Sequence, residues 1–348
     1  MIVQNRFQKE LSLCLVWIIC AIGISDLSWA RIHPSPSPVS DKINPTPGYR
    51  YLKSYDFSRI DTHALNAPET VTNSIDQLAR YLTKPARNDR ERTRAIFRWI
   101  TENIDYDMEA YRNWKYGSAN PENVLQNRQS VCGGYSNLFE ELGKAAGLEV
   151  VTVSGYSKGH GYQVGKAISK QPNHAWNAVK LADGWYLIDS TWGAGHVNME
   201  GDYERRFNAF YFLTPPEQFI HEHFPESSGW QLLDKALTRR EFEDLAYLKS
   251  GYFTSGLTSS SHPKCIINAG RQLQMRFNAP EDTYLLASLY RNGRELTDAK
   301  IEITRKRSGI RVEISIPSRG EYLLRLFART GDRYGEYRDV AEYLIQTL

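Results

Sequence analysis

Val131-Cys132-Gly133-Gly134-Tyr135-Ser136 opens a helix that carries Leu138, Phe139 and Leu142 inward and stops at Gly147. Directly after it, Leu148–Val153 turns rich in β-branched residues, which mark a strand. The chain before this switch reads as helices and the chain after it as strands. That order predicts an α+β fold.

Upstream, Thr72 or Ser74 caps a helix whose Ile75, Leu78, Ala79 and Leu82 share one face, and Pro85 ends it. A second helix starts near Asn88 or Asp89 and aligns Ile96, Ile100 and Ile104, with Trp99 beside them. Downstream, Trp176–Leu181 alternates apolar and polar residues, Asp183-Gly184 reads as a two-residue hairpin turn, and Trp185–Asp189 returns antiparallel. From about Lys264 short apolar runs recur at Leu273–Phe277, Tyr284–Tyr290, Ile301–Ile303, Val312–Ile316 and Tyr322–Phe327. Breaks of Gly, Pro, Asn and Asp between them predict a β-sandwich. The expected organisation is a helix-and-strand unit over 55–250 and a sandwich over 260–348.

The beginning of the 348-residue chain has a different character. Arg6 and Lys9 precede an apolar run, Leu11–Ile24, and Ser28-Trp29-Ala30 offers small residues where a signal peptidase reads. The run is shorter than the roughly 20 residues that span a bilayer. Residues 1–30 are therefore expected to be a cleaved signal, and the mature protein to be secreted or periplasmic and not an integral membrane protein. Cys20 follows the bulky Ile19, which argues against a lipid-modified cysteine. Residues 31–54 are rich in proline and read as a linker. A net charge of +3 argues against nucleic acid as a partner. Cys14 and Cys20 leave with the signal, so Cys132 and Cys265 remain, and a disulfide between them would silence Cys132 as a nucleophile.

Cys132, His174 in Asn173-His174-Ala175-Trp176-Asn177, and Asp189 in Leu187-Ile188-Asp189-Ser190-Thr191-Trp192-Gly193 form a candidate nucleophile, base and orienting group. A thiol needs help to ionise at neutral pH, and the first turn of a helix favours negative charge. Gly133 and Gly134 remove side chains next to the sulfur. A histidine in reach takes the thiol proton and returns it to the leaving group, and a carboxylate holds its tautomer. The hairpin tests this. With Asp183-Gly184 as the turn, Asp189 faces Ala178, which shares a face with His174 but lies four residues from it, about 13 Å along the strand. A bulge, strong twist or early departure of His174 from the ladder must close that gap.

These segments together resemble the transglutaminase-like superfamily, and more closely its kyphoscoliosis peptidase branch. Arg94-Ala95-Ile96-Phe97-Arg98-Trp99-Ile100 with Tyr106-Asp107, Tyr211-Phe212-Leu213, His223-Phe224-Pro225 and Trp230-Gln231-Leu232-Leu233 extend the likeness over roughly residues 55–245. The resemblance implies a papain-like core with a Cys132–His174–Asp189 triad and a thioester intermediate, followed by an Ig-like sandwich. It implies a peptidase acting on protein or peptide amides, with transglutaminase or deamidase as alternative outcomes. A non-catalytic cell-envelope scaffold is the competing class, and envelope proteins or peptidoglycan peptides are candidate partners. No cofactor is expected.

Other residues compete for roles. Gln126, six residues before Cys132, has the spacing of an oxyanion donor in papain-like enzymes, beside the safer Cys132 amide. His160, in the Gly-rich Ser157–Gly161 loop, is a weaker candidate base. His221-Glu222-His223 has no further ligand cluster nearby in the sequence, so no metal site is assigned. Trp99, Trp176, Trp185 and Trp192 read as core or cleft walls.

Overall fold

The computed structural model describes residues 55–113, 119–198, 200–306 and 309–347. The expected signal (1–30) and linker (31–54) lie outside the described residues. Helices come first: α1 (Ser58–Leu65), α2 (Ile75–Thr83), α3 (Asp89–Asn103), α4 (Met108–Asn113), α5 (Pro121–Asn127) and α6 (Cys132–Ala145). Ser74 and Asn88 accept from the amides of Gln77 and Glu91 and so set the starts of α2 and α3. Arg94 of α3 grips Asp61 of α1 through two hydrogen bonds of 2.7 Å, a fork geometry that fixes the crossing of the two helices. Tyr135, Leu138, Phe139 and Leu142 of α6 join Ile96, Trp99 and Ile100 of α3 in one buried cluster.

The strands β1 (Glu149–Ser157), β2 (His174–Leu181) and β3 (Gly184–Ile188) follow, then the short α7 (Ser190–Ala194) and β4 (His223–Pro225). They form an antiparallel sheet in the order β3-β2-β1-β4. The hairpin differs from the expected one by a single residue. Leu181 pairs with Gly184, so the turn residues are Ala182 and Asp183. Gly184 takes a φ of 142°, which favours glycine, at the first position of the returning strand. The Asp183 carboxylate is tied to Tyr186 Oη at 2.8 Å. This shift moves the level of Asp189 from Ala178 to Trp176, two residues from His174, and about half of the expected gap disappears.

The sandwich is entered through α8 (Arg239–Asp244), β5 (Tyr247–Leu248) and α9 (Ser250–Thr254). Its strands are β6 (Thr258–Ser260), β7 (Ile266–Ala269), β8 (Gln272–Asn278), β9 (Thr283–Arg291), β10 (Arg294–Glu295), β11 (Lys300–Lys306), β12 (Gly309–Ser315), β13 (Gly320–Thr330) and β14 (Arg338–Thr347). One sheet runs β6-β8-β12-β11 and the other β7-β14-β13-β9-β10. Leu273, Met275 and Phe277 alternate inward along β8 and meet Leu324, Leu326 and Ile345 from the facing sheet. β5 lies within the span read as the first unit, yet it pairs with β14. Beside it, Lys249 Nζ binds Asp339 Oδ2 at 2.5 Å and Glu342 Oε1 at 2.8 Å, joining the sandwich to the core. No helix of the described residues is long and apolar enough to cross a membrane.

Candidate active site

Cys132 is the first residue of α6, with Val131 as its cap, and its side chain is buried. Both Cys132 and Cys265 are free thiols. The first amides of α6 have no acceptor within the helix and point toward the sulfur's end of it. The two adjacent glycines differ in purpose. A Cβ on Gly134 would fall 2.0 Å from Ser130 Oγ and 2.8 Å from Val124 Cγ2, so its absence lets α6 close on α5. A Cβ on Gly133 would meet only Ala119 Cβ, at 4.0 Å, so open space remains next to Cys132. Asn177 of β2 ties this helix to the sheet, donating from Nδ2 to Ser136 O at 3.0 Å.

The sheet brings the histidines together. Gly155 of β1 pairs with His174 on one side and with Pro225 on the other. Facing residues of a rung project to one face, and His223 lies two residues from Pro225, so His174 and His223 share that face. Gly155 is needed there, because a Cβ would fall 2.4 Å from Phe224 O and 2.5 Å from Trp176 Cη2. Asp189 follows β3 directly and caps α7, its Oδ1 accepting from Trp192 N at 2.9 Å. Its Oδ2 accepts from His174 Nε2 at 2.7 Å and from His223 Nε2 at 2.9 Å. Trp192 lies against both imidazoles, with ring centroids 5.1 Å from His174 and 4.5 Å from His223.

All three groups are buried, so each charge is decided by its neighbours. Burial opposes charge on His174, but the Asp189 carboxylate and the Cys132 thiol outweigh it and push its pKa up to about 10. Burial also pushes the Asp189 carboxyl up, yet His174 and His223 hold it well below the usual carboxylate range. His223 goes the other way. Burial lowers it to about 4 despite Asp189, and it is neutral at pH 7. Bonding Asp189 through Nε2 leaves His174 Nδ1 for the thiol, which contributes to the raised pKa of the imidazole.

Two other sequence candidates occupy exposed positions. Gln126 is exposed on α5. His160 is exposed and stands edge-on to Tyr111, 6.3 Å between centroids. Burial, and after it Cys132, raises the Tyr111 hydroxyl, which places that tyrosine in the field of the thiol. Trp99 and Trp176 are core, and Trp185 stacks edge-on to Trp230 at 5.0 Å. The two histidines of His221-Glu222-His223 have different partners. His221 Nδ1 bonds Ala246 O at 2.9 Å, while His223 alone joins the site. The donor atoms of His174, Asp189 and His223 lie within 4.8 Å of one another, the kind of set a metal takes. Here they are joined by two hydrogen bonds that meet on one oxygen. His223 and Asn177 are the residues that sequence reasoning missed. The available signals were the His223-Phe224-Pro225 motif and the asparagine three residues after His174.

Residues 76–190, which include Cys132, His174 and Asp189, match the transglutaminase-like superfamily, and the chain belongs to that superfamily by its core. Residues 239–348 match the KY-like, immunoglobulin-like domain. The chain is similar to the kyphoscoliosis peptidase of Mus musculus, 35% identical over 295 residues that cover 83% of this chain and 43% of that protein. Its Homo sapiens counterpart is 34% identical over 300 residues, covering 85% and 44%. Hillarin of Drosophila melanogaster is 32% identical over 231 residues, covering 60% and 26%. The chain thus spans under half the length of the curated relatives it matches.

Proposed function

We propose that this chain is an exported cysteine acyl-transfer enzyme, a peptidase, that attacks protein or peptide amides through Cys132. The observation that supports it is the buried line from a helix-start thiol through His174 to Asp189, closed by the 2.7 Å hydrogen bond. The Cys132 thiol gives its proton to His174 Nδ1, and the thiolate adds to the amide carbonyl. The oxyanion that forms lies at the start of α6, with the Cys132 N–H as its donor. As the tetrahedral adduct collapses, imidazolium His174 returns the proton to the leaving amine, and the acyl group stays on sulfur as a thioester. Water, deprotonated by neutral His174, then cleaves the thioester and restores the thiol. A primary amine in place of water gives transamidation. Export rests on the apolar run Leu11–Ile24 followed by Ser28-Trp29-Ala30.

The test is turnover of a broad peptide library by the wild type and by Cys132→Ala, with a labelled primary amine in a parallel reaction. Release of new amino termini by the wild type alone supports the peptidase. Amine incorporation alone moves the reading to transglutaminase. Equal turnover by both proteins removes the triad claim, and no turnover with an unreactive thiol leaves the scaffold.

A further inference from the structure

His223 occupies a place that chemistry alone does not demand. Its side chain is fully buried, its ring stacked on Phe219 at 3.9 Å and 18° and set against Trp176 and Trp192. A phenylalanine would fill such a pocket without the cost of burying two ring nitrogens. Only one of those nitrogens is well served. Nε2 donates to Asp189 Oδ2 at 2.9 Å, while Nδ1 faces the Phe219 carbonyl without a well-formed hydrogen bond. The imidazole is therefore retained at the expense of a poorly satisfied atom, and its one good polar contact is with the carboxylate of the triad.

We propose that His223 is a positioning residue of the acyl-transfer site: as the second imidazole N–H on Asp189 Oδ2, it fixes the carboxylate that orients His174. The proposal rests on the triad reading above and extends it. Trp192 N holds Oδ1, and the two imidazoles hold Oδ2. Three donors from α7, β2 and β4 pin the carboxylate in one rotation, because turning it breaks all three bonds. His223 is suited to this because it is neutral. A cationic partner would cancel the charge of Asp189, whereas a neutral N–H fixes the oxygen and leaves that charge for imidazolium His174. The titratable groups that face it are Asp189 and His174, with the Tyr211 ring beside it and Glu222 one residue earlier in the chain.

The experiment has two arms on the full chain. In the first, the wild type carrying 15N-labelled histidine is followed by NMR from pH 5 to 8, with His223 assigned by its loss in His223→Gln. A neutral Nε2–H tautomer with a deshielded proton and no titration across the range is expected. A Nδ1–H tautomer, or titration near the ordinary histidine value, overturns the proposal whatever the activity. The second arm measures the rate at which iodoacetamide labels Cys132 and its pH profile. His223→Phe, which keeps the ring packing and loses the donor, should slow labelling by about tenfold and change the profile, the order of loss seen when the hydrogen bond behind a metal-bound imidazole is removed. His223→Gln, which keeps a donor, should recover to within about threefold of wild type. A folded His223→Phe with the wild-type rate and profile overturns the positioning role and leaves the triad intact. Absence of accelerated labelling in the wild type itself removes the triad, while the NMR arm still reads the bond to Asp189. Should His223→Phe fail to fold, the tautomer and the His223→Gln rate decide.

Discussion

The transglutaminase-like core and the Ig-like sandwich bury different things. The core encloses Glu91, Arg94, Lys158, His174, Asp189, Glu222 and His223, all nearly inaccessible. Among the described residues of the sandwich strands the buried charged side chain is Glu342, and it is paired with Lys249 at the junction. The sandwich is held by alternating apolar positions such as Met275, Val312, Leu324 and Ile345. Desolvated charge is expensive, so a fold keeps it where hydrogen bonds compensate and where it serves a purpose. In this molecule Glu91 and Arg94 pair with Arg59 and Asp61 among the helices, while His174, His223 and Asp189 meet at one end of the four-stranded sheet, where β2, β4 and the start of α7 converge.

The sharpest way to break this contrast is Asp189→Asn. The shape is kept, but the amide cannot accept from both imidazoles and the Trp192 amide together. Thioester formation should fall by about 10⁴-fold, as when a triad carboxylate is made neutral and the histidine tautomer is lost. Single-turnover acylation by an activated ester checks it. A loss under tenfold would mean that Asp189 is an ordinary helix cap.

The counterpart in the sandwich is Leu324→Ala. Leu324 is fully buried at the centre of β13, and its truncation should cost about 2–5 kcal/mol. The expected pattern is a lowered calorimetric transition with unchanged Cys132 labelling at native temperature. A parallel loss of labelling would show that the two regions share one cooperative unit through Lys249 and β5.

The same contrast decides what was legible in the sequence. The alternation along Leu273–Phe277 states its own period, and Ser74 and Asn88 announce the helices they cap, because such signals are local. α1 buries only Ile60 and Ala64, too little apolar surface to stand out. β14 escaped because Asp339 and Glu342 interrupt its apolar run, and their partner Lys249 lies far away in the chain. The hairpin was misplaced by one residue, since Asp183-Gly184 favours a turn whether the glycine sits inside it or just after it. His223 was the hardest to see. Its role exists only once β4 pairs with β1, and that pairing depends on the missing side chain of Gly155.

Acid and base sharpen the comparison next. His221 and His223, both lowered to about 4 by burial, bind protons more readily in the unfolded chain, so their contribution is lost as pH falls from 6.5 toward 4. Glu222, which burial raises to about 8, contributes below its unfolded value and loses that as pH rises through 8. Burial lowers His174, but Asp189 and Cys132 bring it to about 10, so its contribution is present below 6.5 and lost as pH rises through 10. Two histidines against one glutamate give a net gain from about pH 4.5 to 6.5, and both remaining groups then give a decline. Core stability should therefore peak near pH 6.5 and change by about 1.4 kcal/mol per net group per pH unit on either side. No tryptophan lies beyond Trp230, so tryptophan fluorescence during urea unfolding does not read the sandwich strands. A flat profile between pH 5 and 8 would break the argument that the core's buried charges set its stability.

The smallest effect tests whether the two glycines after Cys132 serve packing or chemistry. Gly134→Ala drives a methyl into Ser130 and Val124 and should cost about 1–3 kcal/mol. Gly133→Ala meets no such obstacle within the protein, and in a helix it should stabilise by up to about 1 kcal/mol. If the space beside Gly133 is where substrate backbone approaches, the added methyl should slow acylation by a peptide thioester while leaving labelling by small iodoacetamide near the wild-type rate. Equal slowing of both reagents would place the methyl against the sulfur itself. No slowing of either would mean that the substrate path does not pass Gly133.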